Sequence, residues 1–315
     1  MDKSKMVPVY TGPLDAFPAS DELPEGTKSV SWTDEPGCIV DFNLDVVYDK
    51  RDGMKLHLHI LLPLEGVFLF GAPIDKRYPL IMHVPGSAWR KQDTKMFIGR
   101  CARYCERGYA VAIVEYRPSD IAPFPAQIED LKTAVRFMRK NADLYKIDPD
   151  RVAFIGDSSG GHTVAMAGIT GDGVLDNGTY GEFSSEAKCV VNCFGPSDVS
   201  RMAYFPSMMD HTGRDTPEGM LLGGVDVHER IDLAEKAAPM YYLSKDKATP
   251  PMIILHGDQD SVVPFNQSVL LYDKMRELGK DVTLYKLLSG THGLGGFGST
   301  EARDTILGFI ESHIG

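Results

Sequence analysis

Gly156-Asp157-Ser158-Ser159-Gly160 is the stretch that decides how the rest of this chain is read. It follows the short apolar run Val152-Ala153-Phe154-Ile155. It leads into the small-residue stretch Gly161-His162-Thr163-Val164-Ala165-Met166-Ala167. A strand, a Gly-x-Ser-x-Gly turn and a helix, in that order, make a nucleophile elbow. The spacing has a chemical reason. A serine on a sharp strand-to-helix turn projects its hydroxyl outward, and glycines two before and two after let the backbone turn and the helix pack closely. Glycine and serine also build ordinary turns. The pentapeptide therefore gains its meaning from a base, an acid and oxyanion donors elsewhere.

A serine hydroxyl needs a base to take its proton, and the base needs an acid to orient it. After an elbow of this kind the acid and then the histidine follow in chain order. Downstream, the apolar run Met252–Leu255 leads into His256-Gly257-Asp258-Gln259-Asp260-Ser261-Val262-Val263-Pro264. A later run, Val282–Leu288, leads into Ser289-Gly290-Thr291-His292-Gly293. The order Ser158, Asp260, His292 fits, each residue lying just past a predicted strand. Asp258 competes as the acid and reads better as a brace of its turn. His256 competes as the base, but it abuts the strand end and precedes the acid. His162, one turn into the helix, reads as structural. His211 and His228 would line the site if the segment that carries them forms a lid. An oxyanion hole needs backbone N–H groups where negative charge develops. Ser159, directly after the nucleophile, offers one. The loop Val84-Pro85-Gly86-Ser87-Ala88-Trp89 after an early strand offers the other.

Around these motifs the chain alternates short apolar runs with helical stripes. The runs are Tyr78–Val84, Ala110–Tyr116, Val152–Ile155, Cys189–Phe194, Met252–Leu255 and Val282–Leu288. They read as strands buried on both faces. Between Pro125 and Asn141 the residues Ile128, Leu131, Val135 and Met138 share a helix face, and Ser268–Leu278 and Thr305–Ile314 show similar stripes. This predicts an α/β fold with a mostly parallel sheet and helices on both faces. Ahead of it, Val40, Phe42, Leu44, Val46 and then Met54, Leu56, Leu58, Ile60 alternate with polar residues across the turn Asp49–Gly53, which predicts two antiparallel strands. Residues 1–37, rich in Pro, Gly and acidic groups, read as an arm whose Tyr10, Phe17 and Trp32 pack in part on the body. Residues 38–315 read as the catalytic domain. Within it, 200–243 has no strand pattern and holds Met202, Met208, Met209, Met220, Tyr204 and Phe205. That segment is either a helical excursion whose methionines fill gaps or a lid at the ligand-binding edge of the sheet.

Composition narrows the function. The 315 residues carry a net charge of −11 with no basic run, a poor match to nucleic acid. No stretch is apolar over the roughly 18 residues that a membrane span needs. No apolar leader follows Met1, so a cytoplasmic location is the expectation, although a secreted form trimmed of its leader would read the same way. Cys38, Cys101, Cys105, Cys189 and Cys193 are odd in number and sparse, which fits buried thiols better than disulfides or a zinc site. The sequence is as compatible with a homo-oligomer as with a monomer.

Taken together, the chain resembles the α/β-hydrolase superfamily. More narrowly it is similar to the carboxylesterase group that includes hormone-sensitive-lipase-like esterases and bacterial feruloyl and acetyl-xylan esterases. The resemblance is carried, in order, by Pro85–Arg90, Tyr116-Arg117, Phe124–Asp130, Asp148–Arg151, Gly156–His162, Phe194–Asp198, His256–Pro264 and Thr291–Gly293. It implies a triad of Ser158, Asp260 and His292, oxyanion donors at Gly86, Ser87 and Ser159, and no metal or organic cofactor. The group often has His-Gly-Gly-Gly-Trp where this chain has Pro85-Gly86-Ser87-Ala88-Trp89, and His83 stands two positions too early to be that histidine. The implied substrate is a small ester with a short acyl or aryl group, including acetyl or feruloyl esters of plant-polysaccharide fragments. Trp89, Tyr204 and Phe205 are candidates to stack on it. The same fold hosts exopeptidases, arylformamidases and non-catalytic binding proteins, and these are the alternatives.

Overall fold

Eight strands in the order β1-β2-β4-β3-β5-β6-β7-β8 form one sheet among the described residues. The computed structural model describes residues 9–13, 16–22, 24–30, 39–64, 76–293 and 298–315. β1 (Ile39–Arg51) and β2 (Met54–Leu64) are antiparallel, and β2 is also antiparallel to β4 (Ala110–Val114). β3 (Tyr78–Val84), β5 (Ile147–Asp157), β6 (Cys189–Cys193), β7 (Met252–Gly257) and β8 (Val282–Leu287) continue the sheet in parallel. The chain steps from β3 outward to β4, then returns past β3 to β5. Strand order thus reverses between β3 and β5, the place where open α/β sheets bind ligands beyond their strand ends.

Alternation along the strands feeds two cores. Leu80, Met82, Val84, Val152 and Phe154 join one cluster with residues of α2 (Ala126–Lys140), α3 (Ser159–Thr170) and α6 (Asn266–Glu277). Ile81, Ala153 and Ile155 join the other, with α1 (Ile98–Cys105) and α7 (Thr300–Ile314). A side chain on successive strand residues points to opposite faces, so continuous apolar runs are what a sheet covered on both sides requires.

The sheet's two edges depart from the sequence reading. The apolar run of β8 predicts burial on both faces, yet Thr283, Tyr285 and Lys286 are exposed, and among the described residues only β7 pairs with it. In β1, Phe42 and Leu44 are 46% and 43% exposed. The register shifts between Asn43 and Val46, where Asp45 has φ 56°, and the bulge interrupts the alternation.

The chain divides into two compact units, Met1–Pro36 and Gly37–Gly315. In the first, the rings of Tyr10 and Phe17 pack edge to face with centroids 5.2 Å apart. Trp32 and Cys38 lie outside the described residues. In the second, the segment between β6 and β7 contains only a 3-10 turn (Val199–Tyr204), α4 (Pro217–Leu221), α5 (Ile231–Lys236) and a second 3-10 turn (Pro239–Tyr242). Val199, Leu221, Leu222, Val227, Ala234 and Ala237 gather around Trp89 in a third, smaller cluster. No helix among the described residues is long and apolar enough to cross a membrane.

Candidate active site

Ser158 stands between β5 and α3 with φ 52° and ψ −125°. An L-residue rarely adopts this conformation, and it persists only where its surroundings hold it. The flanking glycines are what allow the turn. A Cβ on Gly160 would run into the Val84 carbonyl, and one on Gly156 would run into the Gly160 backbone. The Ser158 N–H donates to the Cys193 carbonyl at 2.9 Å, and its carbonyl accepts the His162 N–H at 3.0 Å. The hydroxyl is left to face the C-terminal edge of the sheet, 3.2 Å from His292 Nε2.

His292 and Asp260 arrive on the loops after β8 and β7, which are neighbouring strands. His292 Nδ1 lies 2.8 Å from Asp260 Oδ2. With a carboxylate there, Nδ1 carries the proton and Nε2 is left to accept one. Asp260 is buried and surrounded by donors. His256 Nε2 reaches the same oxygen at 3.1 Å, and the N–H groups of Val262 and Val263 reach Oδ1 at 2.9 Å each. Burial opposes its charge, but the bonds from His256, His292 and Val262 outweigh it and hold the carboxyl well below the ordinary carboxylate range.

The competing residues fall into other places. Asp258 Oδ1 accepts the Ser289 N–H at 2.7 Å, tying the two loops together. His256 is fully buried; Nε2 also faces the Val263 carbonyl at 3.0 Å, and Nδ1 meets Ser268 Oγ at 2.7 Å. Two acceptors at Nε2 put its proton there, so Ser268 donates to Nδ1 and neither nitrogen is open to a substrate. His162 is buried as well, accepting from Trp89 Nε1 at 3.1 Å and donating to the Ala237 carbonyl at 2.7 Å. Burial pushes it down to about 4. His83 packs against Phe97, has no hydrogen-bond partner among the described residues and is pushed down to about 3 by burial.

The loop after β3 corrects the reading of the oxyanion donors. The Ser87 N–H, expected to point at substrate, donates to Ser159 Oγ at 2.9 Å. The Gly86 N–H faces the buried Asp157 carboxyl, whose pKa burial raises. The Ser87 N–H is therefore occupied, and that of Gly86 is turned toward Asp157. The N–H groups of Ala88 and Ser159 have no partner among the described residues. Ala88 and Trp89 both have positive φ, 55° and 53°, which turns this loop back over the Ser158 elbow. Tyr116 braces it from behind, its hydroxyl 2.9 Å from Ser87 Oγ and 3.1 Å from Ser159 Oγ.

A cavity of about 80 Å³ opens at Ser158, lined by Ala88, Trp89, Ser159, Pro196, Met209, His211, Pro217, Glu218, Val262 and Val263. The sequence reading named Trp89 and His211 for this space. It offered Met209 only as one methionine of the segment without strand pattern, and missed Pro217 and Glu218 of the same segment, where no periodicity assigns a direction to any side chain. Tyr204 and Phe205, proposed as stacking residues, do not line the cavity. Tyr204 is 66% exposed and lies against His228, whose Nε2 bonds the Ser200 carbonyl at 3.1 Å. Trp89 is 2% exposed with its N–H spent on His162, so it forms a wall rather than a free stacking platform. Cys101, Cys189 and Cys193 are buried free thiols, and Cys105 is buried. Among the described residues, no group of three or more His, Cys, Asp or Glu is placed to hold a metal ion.

Comparison with known proteins adds a family and a fold. A family model described as BD-FAE matches residues 70–275. The probable carboxylic ester hydrolase LipM of Mycobacterium tuberculosis is 27% identical over 236 residues, which cover 73% of this chain and 52% of that protein. The chain spans about half the length of the curated relatives it matches. Among solved structures, a truncated carbohydrate esterase from gut microbiota is 31% identical with a TM-score of 0.74, covering 89% of this chain and 98% of its own. The Est2 esterase of Thermogutta terrifontis, 23% identical over 89% of this chain and 92% of its own with a TM-score of 0.65, shares the fold.

Proposed function

Since this chain belongs to the BD-FAE family, we propose that it is a serine carboxylesterase whose triad is Ser158, His292 and Asp260. The observation that carries the reading is the chain of contacts at 3.2 and 2.8 Å ending on a strained Ser158, with two unbonded N–H groups beside it. Ser158 Oγ attacks the ester carbonyl as His292 Nε2 takes its proton. The oxyanion that forms faces the N–H groups of Ala88 and Ser159. Collapse expels the alcohol, which receives the proton back from Nε2. Water then gives its proton to His292 Nε2 and attacks the acyl-enzyme, and as the acyl–Oγ bond breaks and the acid leaves, Nε2 returns that proton to Ser158 Oγ. Asp260 remains ionised throughout and holds the imidazole tautomer.

Residues 38–315 act as the catalytic domain, with 200–243 as a lid over the site and 1–37 as an arm. The small, mostly apolar cavity beside Ser158 supports a short acyl group. The likeness to a carbohydrate esterase supports acetyl esters of saccharides as the substrate class.

A fluorophosphonate probe tests the nucleophile. It should label Ser158 and abolish hydrolysis of an aryl acetate in proportion. A fully labelled protein that still hydrolyses the ester, or a label mapped to another serine, would falsify the assignment. An aminoacyl anilide run beside the aryl acetate should be cleaved far more slowly; a preference for the amide would make the enzyme a peptidase.

A further inference from the structure

Glu218 presents a carboxylate oxygen that nothing in the described structure satisfies. The residue is 3% exposed, sits in α4 and lines the Ser158 cavity. Its Oε1 meets His211 Nδ1 at 2.9 Å. Its Oε2 is buried and has no hydrogen-bond partner. A buried carboxylate oxygen without a donor is costly, and such orphan groups call for an explanation.

The bonding of His211 fixes what kind of partner Oε2 lacks. The Ser207 hydroxyl lies within 3.1 Å of the Ser261 carbonyl and 3.0 Å of the Val262 carbonyl, so its proton is spent there. Ser207 Oγ must then accept from His211 Nε2, 2.9 Å away, and Nε2 carries a proton. Two arrangements remain for the Nδ1 contact. Either imidazolium donates to a carboxylate, or a carboxylic acid protonated on Oε1 donates to Nδ1. In both, Oε2 is an acceptor only.

We infer that Glu218 is a specificity-determining residue, its Oε2 receiving a hydrogen bond from a substrate hydroxyl close to the ester being cut. The inference rests on the serine-esterase reading. The hydroxyl can belong to the acyl group or to the alcohol, and the chemistry at Oε2 is the same. A site built around such a bond turns away the analogue that lacks the hydroxyl, because the buried oxygen is then left unpaired.

Two matched pairs of esters separate these sources: 4-nitrophenyl glycolate against 4-nitrophenyl acetate, and 2-hydroxyethyl acetate against propyl acetate. The readout is the ratio of kcat/KM within each pair, in wild type, Glu218→Gln, Glu218→Leu and Glu218→Met. In one pair the wild-type ratio should exceed that of Glu218→Leu and Glu218→Met by at least about tenfold. Glu218→Gln should retain most of the preference, since its amide oxygen still accepts. Ratios equal within about twofold in wild type and the Leu or Met variant, for both pairs, overturn the inference. Should those variants not fold, a wild-type ratio within about twofold of that for hydroxide-catalysed hydrolysis, in both pairs, overturns it alone. Flat ratios with brisk hydrolysis and Ser158 labelling leave the esterase reading standing. A wild type that cleaves none of the four esters and resists the fluorophosphonate removes both.

Discussion

Ser158, His292 and Asp260 form one serine–histidine–carboxylate chain, with contacts of 3.2 and 2.8 Å. Ser207, His211 and Glu218, in the segment between β6 and β7, form a second, with contacts of 2.9 and 2.9 Å. Contact length alone would favour the second as the catalytic one. The surroundings reverse that choice. Ser158 has a strained backbone and sits beside two unbonded N–H groups, whereas Ser207 spends its hydroxyl proton on the carbonyls of Ser261 and Val262 and accepts the Met209 N–H at 3.1 Å. The carboxylates differ in the opposite sense. Asp260 has donors on both oxygens; Glu218 has one oxygen bare. A nucleophile needs a free hydroxyl and somewhere to put the oxyanion, and its acid needs only to be held still. The second chain is a clamp that joins the segment between β6 and β7 to the Asp260 loop.

The strongest contest between the two comes from removing each serine. Ser158→Ala should lower kcat on an aryl acetate by about 10³- to 10⁶-fold, the range known for triad nucleophiles. Ser207→Ala should stay within about fivefold of wild type. Single-turnover and steady-state rates on the same ester decide it. Loss of turnover in Ser207→Ala with normal activity in Ser158→Ala would exchange the roles of the two chains.

The carboxylates come next. Asp260→Asn should reduce kcat by about 10²- to 10⁴-fold, because an amide at that position favours the wrong imidazole tautomer. A stability signature should accompany it. Asp260 is held below its ordinary value in the fold. Its stabilisation is therefore full at pH above the ordinary carboxylate value of about 4, and is lost as pH falls through the lowered folded value. The difference in urea midpoint between wild type and Asp260→Asn should be largest near neutral pH and shrink below about pH 4. A difference that does not vary between pH 7 and 3 would mean that Asp260 owes nothing to its charge.

The two chains also mark how far the sequence could be read. Ser158, Asp260 and His292 are legible because each follows a strand whose apolar run is unmistakable, and because the elbow needs glycine at 156 and 160 for steric reasons. The parallel sheet is legible for the same reason. The edges are less so, since Phe42 and Tyr285 look like core residues until pairing shows that their strands have one neighbour each. The proposed oxyanion donor is Ala88 rather than Gly86 or Ser87 because the Ser87 N–H is bonded to Ser159 Oγ and the Gly86 N–H faces Asp157. Such bonds depend on loop conformation, which carries no periodic trace. Glu218 is illegible for a related reason: α4 has five residues, too few for a stripe to show which way it faces.

The smallest effects are changes in stability, and they should have opposite signs in the two chains. Ser158 holds φ 52° and ψ −125°, a conformation that glycine adopts without a Cβ penalty. Ser158→Gly should therefore raise stability by about 1 kcal/mol, the low end of the strain stored at such residues, while abolishing hydrolysis. Ser207→Ala removes hydroxyl bonds to Ser261, Val262 and His211 and leaves His211 Nε2–H without its acceptor. It should lower stability by about 1 kcal/mol while hydrolysis continues. Urea unfolding at neutral pH measures both, with the slope m checked to be unchanged so that the midpoints report stability alone. The contrast is then between a serine that is kept at a cost to the fold and one that is kept for it. It fails if Ser158→Gly unfolds at lower urea than wild type, because the elbow would then be a preferred conformation for serine rather than an imposed one.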